Sequence, residues 1–304
     1  MINNDLTAKL LDKWAGIIPF PENAPKDTQK IVAVLLENQS RHFDEIGVLK
    51  GTTPESCFMT NHFGAYYKKR LLEGLACAAF KTDLWDIVAT QPMTQPIGML
   101  FWYQQTIKGP KEVSENSTTI PTVCLSIESD TAAAHNRSLR RPFHPAEDKF
   151  GRDGQTDMIN VGFTKIFTQL RREVLCDLLT ASESCSITAS ENQLLGAVQH
   201  QATKIHRKTM RGPGNRIACH PQHLDALELM NDKFKIFSDW EFPKDKVLVF
   251  YNGPSILDRP LIYAPYKLQF SGSDSKNLWT SFRSAKKFVH QDAVALVKID
   301  EFCY

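Results

Sequence analysis

The stretch that decides the fold reads Asp157-Met158-Ile159-Asn160-Val161-Gly162-Phe163-Thr164-Lys165-Ile166-Phe167-Thr168-Gln169-Leu170-Arg171-Arg172-Glu173-Val174-Leu175-Cys176-Asp177-Leu178-Leu179. Ile159, Phe163, Ile166, Leu170, Val174 and Leu178 recur at spacings of three and four, which is one stripe of an α-helix. Arg171, Arg172 and Glu173 fall off that stripe. At ~1.5 Å per residue the helix spans roughly 35 Å, long for a domain of this size.

Downstream, a second helical pattern starts at Ser190, where Ser190 and Gln193 form a capping box. It carries Leu194, Val198 and Ile205, and Gly212 is expected to stop it. A short strand (216–219), a short helix (222–230) and strands at 235–237, 246–251 and 261–270 follow. Two more strands are expected near 282–289 and 293–299. Upstream, Leu6, Leu10 and Trp14 mark a short helix capped by Asn4 or Asp5. Pro19, Pro21 and Pro25 then force an extended arm. A second helix runs from Asp27 to about His42, with Ile31, Val34 and Leu35 on one side. Residues 44–65 read as irregular, and Tyr66 to Ala79 as a third helix. Trp85 to Thr90 looks strand-like.

After Gln91-Pro92 and Pro96-Ile97-Gly98 comes the apolar run Met99–Tyr103, then a polar tract over 104–122. Two strands around a polar tip give a long hairpin-like loop. Residues 130–155 read as a basic, turn-rich linker with Arg137, Arg140, Arg141, Pro142 and Pro145. Helices and strands mix without regular βαβ alternation, so the class is α+β.

Composition excludes several alternatives. The 304 residues are 42% hydrophobic, 23% charged and 10% aromatic, enough for one large core or two modest ones and unlike a disordered chain. The net charge of +2 names no polyanion by itself. The cysteine count is odd, at seven, and no Cys-x-x-Cys pair occurs, so free thiols in a reducing cytoplasm are expected. Asp5 and Lys9 break any signal-peptide core, and no apolar run is long enough for a membrane span.

The motifs offer little chemistry. Arg211-Gly212-Pro213-Gly214-Asn215 has its glycines leaving a helix rather than entering one, and Pro213 lacks an N–H, so a helix stop is favoured over a phosphate loop. Cys219, His220 and His223, with His200 and His206 upstream, fit no common zinc spacing. Cys219 with His220 is no catalytic pair, because neighbours on a strand point to opposite faces. Asp83 with Asp86, and Asp300 with Glu301, read as solvated surface. Two basic stretches, Arg137–Arg141 and Lys204, His206, Arg207, Lys208 and Arg211, could meet nucleic acid, but neither carries interleaved aromatics. Asn116-Ser117-Thr118 matches a glycosylation sequon without a compartment to use it. No catalytic residue, cofactor or metal site is expected. What remains is a modest core with a projecting arm, a projecting loop and one long helix. Ordering such projections costs entropy that only neighbouring subunits can offset.

Several segments, in order, resemble the major capsid protein family of T-even-like tailed phages. They are Ala8-Lys9-Leu10-Leu11-Asp12-Lys13-Trp14, Leu36-Glu37-Asn38-Gln39, Asp86-Ile87, Gln91-Pro92-Met93-Thr94-Gln95-Pro96-Ile97-Gly98 and Leu170-Arg171-Arg172-Glu173-Val174. Next come Arg211-Gly212-Pro213-Gly214-Asn215 with Ile217-Ala218, Tyr251-Asn252-Gly253-Pro254, Ile262-Tyr263-Ala264-Pro265-Tyr266 and Gly272-Ser273-Asp274-Ser275-Lys276-Asn277. The resemblance implies the Hong Kong 97-type capsid fold. Its parts would be an N-terminal arm and helices (1–65), the first part of a peripheral domain (66–90) and an extended loop (91–125). The peripheral domain with its spine helix (126–182), an axial domain (183–262) and C-terminal strands of the peripheral domain (263–304) would follow. The chain is shorter than typical members, with only 126–155 where they carry an insertion. Leu71-Leu72-Glu73-Gly74 fits the family's processing pattern, but no cleavage is expected in what reads as core.

The implied role is structural, not enzymatic: self-assembly into the hexamers, with pentamers as an option, of a DNA-containing icosahedral or elongated phage head. Partners would be other copies of the chain, vertex, portal or decoration proteins, and packaged DNA by non-specific contact, with no membrane. The place would be the virion, assembled in the host cytoplasm. The rivals are a pentamer-only vertex protein of the same family, a nucleic-acid-binding protein using 204–211, and an enzyme with an unrecognised site around Cys219 and His223.

Overall fold

The computed structural model describes residues 4–45, 64–108, 122–142, 151–274 and 277–300. Residues 46–63 of the stretch expected to be irregular, the sequon and most of the expected hairpin tip, Pro145, Lys276 and Glu301 lie outside the described residues.

Helices α1 (Asn4–Ala15), α2 (Lys26–Glu45) and α3 (Gly64–Lys81) precede a short helical turn, Leu84–Ile87. Strands β1 (Ala89–Thr90), β2 (Ile97–Lys108), β3 (Thr122–Ala133) and β4 (His135–Pro142) follow, then the long helix α4 (Gly151–Ser182). After β5 (Ser186–Ala189) come α5 (Leu194–Thr209), β6 (Arg216–Cys219), β7 (Lys235–Ser238) and β8 (Lys246–Phe250). The chain ends in β9 (Leu261–Asp274), β10 (Asn277–Phe288) and β11 (Val294–Ile299). They form a four-stranded sheet ordered β1-β9-β10-β4, a five-stranded sheet ordered β5-β11-β8-β6-β7, and the β2-β3 hairpin.

Phe163, Ile166, Leu170, Val174 and Leu178 of the expected stripe are buried, and so are Phe167 and Leu175 beside it; the Ile159 side chain lies outside what is described. Phe167 lies edge-on to both Trp85 and Phe282, with centroids 5.7 and 6.1 Å away, so α4 ties the helical turn to β10. The main core gathers α1 to α4 against one face of the five-stranded sheet, through Ala218, Phe237, Leu248, Phe250, Val294 and Leu296. The opposite face, through Ile217, Cys219, Val247, Val249, Ala295 and Val297, packs on α5. The sheet is therefore sandwiched between α4 and α5. Arg171, off the stripe, pairs at 2.6 Å with both Asp83 and Asp239 and donates to the Ser238 carbonyl at 3.0 Å. It fastens the helix to the chain ahead of the short turn and to the end of β7.

Several expectations need correcting. The long helix begins at Gly151, inside the expected linker. Gly154 costs about 1 kcal/mol relative to alanine in a helix but does not forbid one. Of the rest of the supposed 130–155 linker, the described residues 130–142 are largely strand: β3 runs to Ala133, and β4 pairs antiparallel with β10. Its basic residues hid it, because β4 is an edge strand and edges tolerate charge. The first half of the strand-like run 85–90 is a helical turn and only Ala89–Thr90 are strand; a short, mostly buried run has no period that separates the two.

The last strand, expected with the other C-terminal strands, pairs instead with β8 and β5 in the five-stranded sheet. Val294-Ala295-Leu296-Val297 is buried throughout, which suits a strand covered on both faces. Ser190 makes no side-chain cap, since a 3-10 turn (Glu191–Gln193) intervenes before α5. Gly212 does not end α5 either. Met210 does, in the left-handed region at φ 55° with its N–H on the His206 carbonyl. Gly212 is glycine for a different reason: a Cβ there would lie 2.6 Å from the Tyr251 ring.

Candidate assembly interface

In the hairpin, Ile97 pairs with Ala133 and the register continues unbroken to Lys108 with Thr122. Opposed residues share a face, so Ile97, Met99, Phe101 and Tyr103 lie on the same side as Leu125 and Ile127. Leu100 is on the other side, with its neighbours Trp102 and Ala132. That side packs at its root onto Ala89, Met93, Ile262, Ala264 and Tyr266. On the first side Phe101 and Tyr103 are half-buried, whereas Ile97 is 64% exposed, Met99 56%, Leu125 67% and Ile127 53%. Phe101 and Ile127 of this face also line a cleft of about 590 Å³, closed by Thr7, Ile31, Pro92 and Leu257.

The root is held by polar groups from four directions. The buried Gln91 side chain mimics a strand residue: its Nε2 donates to the Phe101 carbonyl and its Oε1 accepts the Phe101 N–H at 2.9 Å. The Tyr103 N–H donates to the Leu257 carbonyl at 2.9 Å. Arg211, whose side chain is 7% exposed, donates to the Tyr103 carbonyl at 2.9 Å and pairs with Asp258. Asn38 of α2 donates to the carbonyls of Met93 and Tyr266 at 2.6 and 2.7 Å.

Asp258 is the centre of a junction. Its other oxygen accepts from the Tyr251 hydroxyl at 3.3 Å, and burial, reinforced by that carboxylate, pushes the Tyr251 phenol up. The Asn215 side chain brackets the backbone of Asn252, donating to its carbonyl and accepting its N–H, each at 2.9 Å. Asn252 also donates to the carbonyls of Asp86 and Ile87. Here Arg211-Gly212-Pro213-Gly214-Asn215 and Tyr251-Asn252-Gly253-Pro254 meet, joining the five-stranded sheet, the hairpin and the 84–90 segment. His290 lies near Arg211 and Asp258; burial, then Arg211, lowers its pKa to about 4.

The other candidate residues sit elsewhere. Cys219 is buried and burial pushes its thiol up to about 12, far from a nucleophile. His220 accepts the Gln222 N–H on Nδ1, and His223 Nε2 lies 2.7 Å from the Lys244 carbonyl, so both rings hold loops. Among the described residues, no group of three His, Cys, Asp or Glu could hold a metal. Asp83 and Asp86 are not paired with each other but bound to Arg171 and Lys235. In the basic helix, Lys208 pairs with Asp292 and Arg211 with Asp258, whereas Lys204 and Arg207 flank a shallow hollow on the outer face of α5. Arg137–Arg141 lie on β4. Leu71 and Leu72, beside Glu73, are buried within α3. No helix among the described residues is long and apolar enough to cross a membrane.

Sequence reasoning missed three joints: Asp258, Gln91, and Arg259, which donates to the carbonyls of Trp85 and Val88. It also missed the hairpin's exposed face, because Met99 to Tyr103 is apolar on both faces and shows no alternation to tell the packed one from the other.

No protein-family profile and no curated protein sequence matches the chain. Solved structures do. The virus-like particle from Pyrococcus furiosus superposes with a TM-score of 0.51 at 13% identity, over 75% of this chain and 96% of its own. Mycobacterium phage Bobi gives 0.50 at 13%, over 72% and 90%. The capsid of the cyanophage P-SCSP1u gives 0.48 at 8%, over 72% and 88%. With its long helix, two sheets and projecting hairpin, the chain has the Hong Kong 97-type capsid fold.

Proposed function

We propose that the chain builds a protein shell: a major capsid protein of the T-even type, forming the hexamers, with pentamers as an option, of a DNA-containing phage head. One observation carries this reading. The β2-β3 hairpin carries a face on which Ile97, Met99, Leu125 and Ile127 are each more than half exposed. A two-stranded ribbon is at best marginally stable in water, and a continuous apolar patch on one marks a contact surface. The fold is one that shells are made from, and the ordered segments quoted above favour the phage family within it.

On this reading α4 is the spine, the five-stranded sheet with α5 forms the axial domain, and the four-stranded sheet belongs to the peripheral domain. The hairpin is the extended loop, laid on the next copy. The expected partners are other copies, then vertex, portal or decoration proteins; the expected place is the virion, assembled in the host cytoplasm. The role is structural, and each chain's contribution is buried interface, commonly ~2,000–5,000 Å² for obligate contacts.

The test is direct. The chain expressed alone should give rings, sheets or closed particles in electron micrographs. Monodisperse monomers at every salt and concentration tried would end the proposal. Hundreds of copies per virion on a gel would select the major protein over a pentamer-only vertex protein.

A further inference from the structure

Helix α5 buries Leu194, Ala197, Val198, Gln201, Ala202 and Ile205 against the five-stranded sheet. Its opposite face carries Gly196, Gln199, His200, Thr203, Lys204 and Arg207, in steps of three and four, around a hollow of about 480 Å³. We propose that this face is a contact for the phosphate backbone of duplex DNA, and hence is the face the shell turns inward. The DNA-binding part stands by itself; the inward orientation rests on the shell reading.

Three observations carry it. First, the sign of charge is unmixed. From Leu194 to Thr209 the helix has His200, Lys204, His206, Arg207 and Lys208 and not one Asp or Glu. A merely solvated helix face alternates signs, and α2 of this chain does so, with Lys26, Asp27, Lys30, Glu37, Arg41, Asp44 and Glu45. Second, the neighbouring cations are taken and these are not. Lys208 is spent on Asp292 and Arg211 on Asp258. Lys204 and Arg207 have no carboxylate within ion-pair distance among the described residues, so they keep their full charge for a ligand.

Third, the spacing fits. From position 200 to 207 the stripe rises about 10 Å, and one strand of B-DNA passes a phosphate every ~3.4 Å along its axis. The stripe thus runs beside about three phosphates, with Gln199 supplying a neutral amide donor. Favourable interaction with the helix dipole accounts for cations in the last turn. It does not account for Lys204 further back, nor for the missing carboxylates.

The experiment compares the full-length chain with K204E/R207E and with the conservative K204R/R207K. The probe is a short mixed-sequence DNA duplex, titrated between 50 and 200 mM salt. Thermal melting checks the fold, and electron microscopy counts particles. The expected result is binding at least tenfold weaker at the low-salt end for K204E/R207E, with a slope of log K against log salt shallower by about 2 per chain. K204R/R207K keeps both. An unchanged slope in the charge-reversed chain overturns the proposal, and so does lost particle formation with DNA binding intact, which would make the face a protein contact. If K204E/R207E melts early, K204Q/R207Q replaces it, with the slope expected to fall by the same amount. Should the wild-type chain bind DNA as described yet never assemble, the backbone contact stands while the shell reading and the inward orientation fall.

Discussion

Replacing Leu125 and Ile127 together by serine tests the hairpin's bare face. Fully burying a large aliphatic side chain is worth ~1.5–3 kcal/mol. Leu125 is 67% and Ile127 53% exposed in the single chain, so over half of that remains unrealised until a neighbour covers it. Each residue then contributes about 1–2 kcal/mol to a subunit contact, and the pair about 2–4 kcal/mol. That weakens each contact by between about 30-fold and about 700-fold. Buried area does not convert directly into affinity, but the difference between two variants of one interface is far less exposed to that error. The same arithmetic predicts almost nothing for the monomer, since substitutions at exposed positions stay within ~0.5 kcal/mol.

The threshold concentration for assembly, followed by light scattering and sedimentation velocity, should therefore rise at least tenfold. The melting temperature measured below that threshold should not move. An unchanged threshold refutes the assignment of this face to a contact. A large drop in melting temperature also refutes it, because the side chains would then already be buried within their own chain.

Three further outcomes are expected. Burial first, then the positive charge of Lys267, with Glu45 acting the other way, holds His42 at about 4 against its ordinary 6.5. The unfolded chain takes up that proton first, so stability is complete above about pH 6.5, declines as pH falls and levels off below about 4. His42→Gln should remove up to about 3 kcal/mol of that dependence, seen as a smaller shift of the urea midpoint between neutral and acid pH; equal shifts in both chains would disprove it. Gly253→Ala places a Cβ 2.3 Å from Asp258 Oδ2, and should cost about 1–3 kcal/mol while speeding proteolysis at the hairpin root; an unaltered melting curve counts against the junction. Cys219, with its thiol near 12, should resist a thiol reagent that labels the exposed Cys77 and Cys176, and react only after unfolding. Peptide mapping decides, and fast native labelling of Cys219 would contradict its burial.

The elements that a single period describes were readable in advance. The stripe from Phe163 to Leu178 reports one buried face, and the apolar run from Val247 to Phe250 one buried strand. What sequence hid was decided by contacts distant in the chain. Strand β4 carries no apolar alternation, since its place at a sheet edge is set by pairing with β10. Trp85 to Val88 could have been strand or helix until Arg259, 171 residues from Val88, caps their carbonyls. The joints were visible only as unusual words, Arg211 to Asn215 and Tyr251 to Pro254. Their physical content, a glycine where a tyrosine ring leans and an asparagine side chain that satisfies the backbone of another asparagine, exists only once the words are brought together. The basic helix was readable as charge but not as available charge, because Asp292 and Asp258 lie 84 and 47 residues from the cations they neutralise.

The hairpin's root explains how an uncovered ribbon can serve assembly. A ribbon ordered only on docking would lose backbone freedom at that moment, at about 1–2 kcal/mol per residue, enough to cancel what its apolar face gains. Here the root is already fixed by Gln91 on Phe101, by Leu257 and Arg211 on the two sides of Tyr103, and by Leu100 in its own small core. The direction of the strands is thus set before any neighbour arrives, and the binding free energy of Ile97, Met99, Leu125 and Ile127 is not consumed in ordering them. Arg211 belongs to the loop that leaves α5, so the hairpin's direction is tied to the five-stranded sheet as well as to the core beneath it. Arg211→Ala should then separate folding from assembly: the two sheets persist, while the hairpin's amides near Tyr103 exchange faster and the assembly threshold rises. If exchange there stays as slow as in the wild-type chain, the root does not depend on this joint, and the order of the hairpin must come from its own pairing.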